Sequence, residues 1–196
     1  MESDTLSSLP LETHPWPPFI PDGARVLIMG TFPPPPARWG MNFYYPNPTN
    51  DFWPMMGLIF MGDRRALWDS DTRKFRLPEI KELLTLHHIA LNDTGHTVRR
   101  LKGNASDKFP EIVEPVNLHA LLESMPMCKA VATTGMKAAE VVASLTSTPV
   151  PGMGKCVTAA DGLEIWRMPS TSRAYPMALA DKAERYKSMF ARLGII

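Results

Sequence analysis

The chain has 196 residues, 44% of them apolar, and a net charge of +1. That excludes a disordered chain and a strongly basic one, and it is enough to bury a single core. No apolar run reaches the length of a membrane span, and the opening MESDTLSSL is acidic and polar where a signal peptide is basic and then apolar. Cys128 and Cys156, the only cysteines, lie in apolar surroundings, which points to a reducing, cytoplasmic setting and away from a disulfide scaffold, a Cys-ligated zinc site or an iron–sulfur cluster.

Residues 1–22 carry five prolines and no periodicity, and read as an arm lying on a single domain over 23–196. RVLIM (Arg25–Met29) is a buried strand, followed by the loop GTFPPPPARWGMNFYYPNPTND. Phe52, Met55, Met56, Ile59 and Phe60 then recur at helical spacing, with Pro54 tolerated in the first turn. Residues 64–76 are charged and read as a surface excursion. Pro78 opens a helix with Ile80, Leu83 and Leu84 inward, and HIALN (His88–Asn92) is a second strand. The stretch 93–116 reads as a long polar loop, of a length that is usually functional. Asn117 has the character of an N-cap for a helix carrying Leu118, Leu121, Leu122 and Met125. KAVATT (Lys129–Thr134) is a third strand, Gly135 a turn and Met136–Leu145 a helix. Asp161-Gly162 is a hairpin signal joining KCVTA to LEIWRM. After MPSTSRAY (Met168–Tyr175), Pro176 opens a last helix with Leu179, Ala183, Tyr186, Phe190 and Leu193 on one face. The alternation predicts a three-layer α/β/α sandwich around a mainly parallel four-stranded sheet. Two loops at the C-terminal ends of parallel strands then form a crevice suited to a planar ring and a phosphate chain.

Within that crevice Asn50 offers a donor and an acceptor on one amide, enough to read a base edge or hold a water, and Asn is equally a helix cap. Asp93 ends the second strand and faces the same crevice. Ser170, Thr171 and Ser172 form a hydroxyl cluster suited to phosphates, or an ordinary Ser/Thr turn, with Arg173 and Tyr175 next to it. Tyr44 and Tyr45 are either loop anchors or a stacking surface. His96, Arg99, Arg100, Lys102 and Lys108 make a basic patch that is either a phosphate track or a solvated face. The adjacent His87 and His88 lack a third ligand at metal-binding spacing.

Taken together, Gly30-Thr31-Phe32-Pro33, the run Tyr44–Trp53 (YYPNPTNDFW) and Met168–Ser172 (MPSTS) resemble the uracil-DNA glycosylase superfamily, nearest to its DNA-deoxyinosine (hypoxanthine-DNA) glycosylase branch. The order of elements fits that superfamily over roughly 24–193. The resemblance implies a monomeric enzyme acting on DNA that contains a deaminated or damaged base, with no cofactor, no metal and no membrane partner. It implies a base-binding set of Phe32, Tyr45 and Asn50, catalytic roles for Asn50, Asp51 and Asp93, and backbone contacts from Ser170, Thr171, Ser172 and Arg173. The chain departs from its relatives at Phe32, where thymine and mismatch glycosylases carry a water-holding Asn and the main uracil glycosylases an Asp. Asp51, Asn42 and Asp93 are then the candidates for that water. Two rival readings stand beside this one: a catalytically silent DNA- or nucleotide-binding module on the same fold, and a small-molecule hydrolase using the same crevice.

Overall fold

The computed structural model describes residues 9–100 and 110–196. The first eight residues of the arm, and Lys102, Lys108 and the 104–107 stretch of the basic patch, lie outside the described residues. The central sheet is built from β2 (Val26–Gly30), β5 (Ile89–Asp93), β8 (Ala130–Thr134), β9 (Lys155–Thr158) and β10 (Glu164–Met168), in the order β5-β2-β8-β10-β9. The first four strands run parallel, and β9 is an antiparallel edge strand joined to β10 by the predicted Asp-Gly hairpin.

Every residue of β2 and β5 is buried, as expected of parallel strands covered on both faces. Alternation along β2 divides the core. Val26 and Ile28 pack with Phe52, Trp53, Met55 and Met56 of α1 (Phe52–Met61), with Ile80 and Leu84 of α2 (Leu77–Leu86) and with Tyr186 and Phe190 of α5 (Leu179–Arg192). Leu27 and Met29 point the other way, toward Leu118 and Leu121 of α3 (Leu118–Glu123) and Val142 of α4 (Met136–Thr146). The three layers are therefore α1, α2 and α5 on one face, the sheet, and α3 and α4 on the other. Asn117 caps α3 as its sequence suggests, its Oδ1 accepting the Ala120 N–H at 3.1 Å.

The structure corrects three expectations. The central sheet has five strands where four were expected, because β9 adds an antiparallel edge beside β10. The stretch 93–116 is not a structureless loop: β6 (Gly95–Arg99) and β7 (Glu111–Pro115) pair antiparallel, and β1 (Leu11–Thr13) of the arm joins β6 to complete a second sheet, β1-β6-β7. Only Gly95 and Val98 of β6 are buried and β7 is largely exposed, so the ribbon lacks the apolar run that would have announced it. Residues of the arm also pair with strands of the domain. Phe19 and Leu91 exchange both backbone hydrogen bonds, at 3.0 and 2.9 Å, and so cover the open edge of β5. Finally, the last helix begins at Leu179, because residues 172–177 are spent on turns, with the Tyr175 N–H donating to the Ser172 carbonyl and that of Met177 to Tyr175. The excursion at 64–76 carries a small hairpin, β3 (Trp68–Asp69) and β4 (Lys74–Phe75). Among the described residues no helix is long and apolar enough to cross a membrane.

Because β2 is covered on both sides, Leu27→Ala and Ile28→Ala should each destabilise the protein by about 2–5 kcal/mol in urea titrations. A near-zero value for either would mean that one face of the sheet is uncovered.

Candidate active site

The register of the sheet sets its C-terminal ends level. Gly30 of β2 is the Cα partner of Asp93 of β5, and Thr134 of β8 is the partner of Met168 of β10. Three polar side chains meet above this line. A Cβ built on Gly30 would stand 2.6 Å from Asp93 Oδ1 and 3.3 Å from Tyr45 Oη, so glycine is what lets the carboxylate and the phenol approach the strand. Tyr45 Oη is hydrogen-bonded to Thr134 Oγ1 at 3.2 Å, and the Tyr45 ring lies flat on Phe52, centroids 3.8 Å apart and planes at 12°. The backbone of Tyr45 has φ 51°, a left-handed conformation that costs a bulky residue about 1–3 kcal/mol and persists only where surrounding contacts hold it. Here those contacts are the stack on Phe52 and the bond to Thr134. Thr94 Oγ1, fully buried beside Asp93, has no hydrogen-bond partner among the described residues.

Asp93 is buried, and its partner comes from the arm: His14 Nε2 lies 3.0 Å from Asp93 Oδ2, both side chains under 10% exposed (5% and 8%). His14 Nδ1 faces the Trp16 carbonyl at 2.8 Å, and its ring stacks on Tyr44 and meets the edge of Phe32. Asp93 Oδ2 is therefore held, while Oδ1 makes no hydrogen bond among the described residues. Burial, and secondly the Asp93 charge, push the hydroxyls of Tyr44 and Tyr45 well above the usual phenol range, so both remain neutral donors. Nothing in the sequence marked His14. Its only signal was a histidine in a proline-rich arm, and its contact with Asp93 spans 79 positions.

Other expected site residues occupy different surroundings. Asn50 Oδ1 accepts the Phe52 N–H at 2.8 Å, a local turn one residue before the Asp51 N-cap of α1, and its amide NH₂ makes no hydrogen bond among the described residues. Phe32 packs between the His14 edge and Arg100, whose guanidinium lies 5.6 Å above its ring. Asn42 is exposed and accepts from Trp16 Nε1 at 2.6 Å. Arg99 pairs with Glu111, and Arg100 with Glu12 and the Pro33 carbonyl. These two cations are thus neutralised within the β1-β6-β7 sheet and its junction with the first motif loop.

Asp51 is buried with both oxygens engaged, Oδ2 by Lys182 Nζ at 2.8 Å and Oδ1 by Arg173 Nε at 3.2 Å. Lys182 is fully buried and also donates to the Ser172 carbonyl at 2.9 Å. The Asp51 N–H donates to the Thr171 carbonyl at 2.8 Å. This network ties the start of α1 to the Ser170–Arg173 loop and to α5. It brings the two sequence motifs together, with Ser172 and Arg173 exposed, Ser170 half-buried and Thr171 buried. Gly135, after β8, has φ 109°, and a Cβ built on it would stand 3.4 Å from Ser170 Cβ. No group of three His, Cys, Asp or Glu side chains is placed to hold a metal ion among the described residues.

No family model matches the chain and no curated protein matches its sequence. The chain is similar to the solution NMR structure of a provisionally assigned uracil DNA glycosylase from Methanosarcina acetivorans, with a TM-score of 0.66 and 20% identity over 94% of this chain and 99% of that one. The fold is therefore that of a uracil DNA glycosylase-like α/β protein.

Lys182→Met should lower stability by about 3 kcal/mol, the cost of stripping one partner from a buried ion pair, with Arg173 left to offset part of it. The double change Lys182→Met with Asp51→Leu should recover much of that loss in thermal or urea melts, because no charge is then left buried. Equal losses in the single and double variants would mean that packing, not charge, is what Lys182 supplies.

Proposed function

We propose that the protein is a DNA glycosylase that hydrolyses the N-glycosidic bond of a deaminated base, uracil or hypoxanthine. The observation that carries this reading is the convergence of Asp93, Tyr45 and Thr134 on the glycine-lined end of the parallel sheet, between the two motif loops. Such a lesion must be flipped out of the helix to be reached. Stacking on the Tyr45 ring would use the face opposite Phe52, and the free Asn50 amide NH₂ would donate to an exocyclic oxygen of the base. The C1′–N bond breaks with its electron pair leaving on the base, a water oxygen bonds to C1′, and the water's proton passes to Asp93 or to the departing base. Asp93 then has two tasks: stabilising the positive sugar and orienting the water through its free Oδ1. An opposite charge at about 4 Å contributes about 4 kcal/mol at an effective dielectric of 20, roughly a thousandfold in rate. His14 acts through Asp93, fixing the rotamer that leaves Oδ1, at the Gly30 end of β2, without a hydrogen bond among the described residues. Asp51, with both oxygens bound to cations, positions the loops. Ser170, Ser172 and Arg173 face the flanking phosphates.

Phe32 favours a second reading, a binding module without turnover, because the position where relatives hold water with an Asn or Asp is apolar and packed. Oligonucleotides each carrying one uracil, hypoxanthine or xanthine, followed by alkaline cleavage, decide between the two. A product from any of them supports the enzyme; tight binding of abasic-site DNA without cleavage supports the module.

In single-turnover assays Asp93→Asn should lower the excision rate by about 10²–10³, and His14→Ala by less, because the carboxylate remains. A wild-type rate for Asp93→Asn would remove Asp93 from the chemistry. Asn50→Ala should lower stability by about 0.5–1.5 kcal/mol for the lost bond to the Phe52 N–H and also slow excision per folded molecule. A mutant that melts lower yet cuts at the wild-type rate would make Asn50 a structural residue only.

A further inference from the structure

Across the Asp51–Arg173 contact from the proposed crevice, a cleft of about 270 Å³ is lined by Pro48, Arg64, Arg65, Trp68, Phe75 and Arg173 with others. We propose that this cleft binds the phosphodiester strand flanking the flipped nucleotide, its arginines on phosphates and its aromatic wall against a base. Which strand it holds rests on the glycosylase reading above; that it holds a nucleic-acid strand does not.

The cations are presented by a built turn. The Asp63 side chain accepts the Arg65 N–H at 2.9 Å, and the Ala66 N–H donates to the Asp63 carbonyl. The Trp68 N–H donates to the Arg65 carbonyl at 2.9 Å, and Trp68 pairs with Phe75 across the β3–β4 hairpin. Two of the nearby acids are turned toward their own backbone: Asp69 Oδ1 accepts the N–H groups of Asp71 and Thr72, as Asp63 Oδ1 accepts that of Arg65. The exposed side chains of Arg64 and Arg65 consequently make no ion pair or side-chain hydrogen bond among the described residues. In a chain of net charge +1, a concentration of cationic charge of this kind is local, not a general property of the surface.

The wall and the location select the ligand. Trp68 and Phe75 meet edge to face, centroids 5.0 Å apart at 83°, and both are half-buried, giving apolar surface on which a base stacks. Arg173 lines the cleft while its Nε holds Asp51. The cleft is thus continuous with the Ser170–Arg173 loop that borders the crevice. A strand leaving the crevice over that loop reaches three arginines and an aromatic wall in succession. An acidic peptide would match the charge but would have no use for that continuity.

The test measures binding of a labelled twelve-nucleotide oligothymidylate and of abasic-site duplex against salt, for the wild type and for the double variant Arg64→Ala with Arg65→Ala. Each phosphate neutralised contributes about 0.7 to the slope of log affinity against log salt for a single strand, so the slope should fall by about 1.4. Arg64→Lys with Arg65→Lys should retain it, and Trp68→Ala should weaken single-strand binding at least fivefold with the slope kept. An unchanged slope in the double alanine variant overturns the inference, as does equally tight binding of polyglutamate with the same loss. If no lesion is excised and yet the slope falls as stated, the cleft stands and the glycosylase reading fails. If excision is found with an unchanged slope, the reverse holds.

Discussion

The Lys182 ammonium has no exposed surface, and a buried charge of that kind must be met by partners or it destabilises the fold by several kcal/mol. Its partners are Asp51 Oδ2 at the start of α1 and the Ser172 carbonyl in the loop after β10. Because Lys182 sits one turn into α5, a single side chain sets the separation of three elements. The backbone bond from Asp51 to Thr171 repeats the tie. Everything that faces the crevice from the two motif loops depends on this clamp. Arg173, by sharing Asp51, carries it out to the surface of the neighbouring cleft.

A second constraint acts at the strand ends. Parallel pairing sets Gly30 opposite Asp93, and only a residue without a Cβ leaves room there for the carboxylate and the Tyr45 hydroxyl. Asp93 is in turn fixed by His14, which directly follows β1 of the arm. The arm therefore has two roles that share one cause. Its backbone covers the edge of β5 through Phe19, and the same path carries His14 against Asp93. The surrounding phenols are held neutral by burial and by that carboxylate, which leaves Asp93 as the charge at the strand ends.

Phe32 of the first motif loop is apolar and packed between His14 and Arg100, so the polar groups at the strand ends are Asp93, Tyr45 and Thr134. Asn50 is divided: its oxygen holds the Phe52 N–H, and its NH₂ makes no hydrogen bond among the described residues.

The layered α/β architecture was legible in the sequence because β2, β5, β8 and β10 are short apolar runs and the helices repeat their apolar residues at 3.6-residue spacing. The Asp-Gly hairpin and the Asn117 cap were legible because turn and cap chemistry is local. The β1-β6-β7 ribbon was not, since its strands bury little and carry no apolar alternation. The two motif loops could be picked out by residue type, but what each side chain does there is set by contacts between distant positions. Asp51 reads as a free carboxylate until Lys182, 131 positions away, neutralises it. His14 reads as a loop residue until the arm folds over β5. Local sequence determined the elements and their caps, since those depend on neighbours along the chain. Tertiary structure alone decided which charges are paired and which remain for a ligand, because ion pairing depends on distance in space and not on order in the chain.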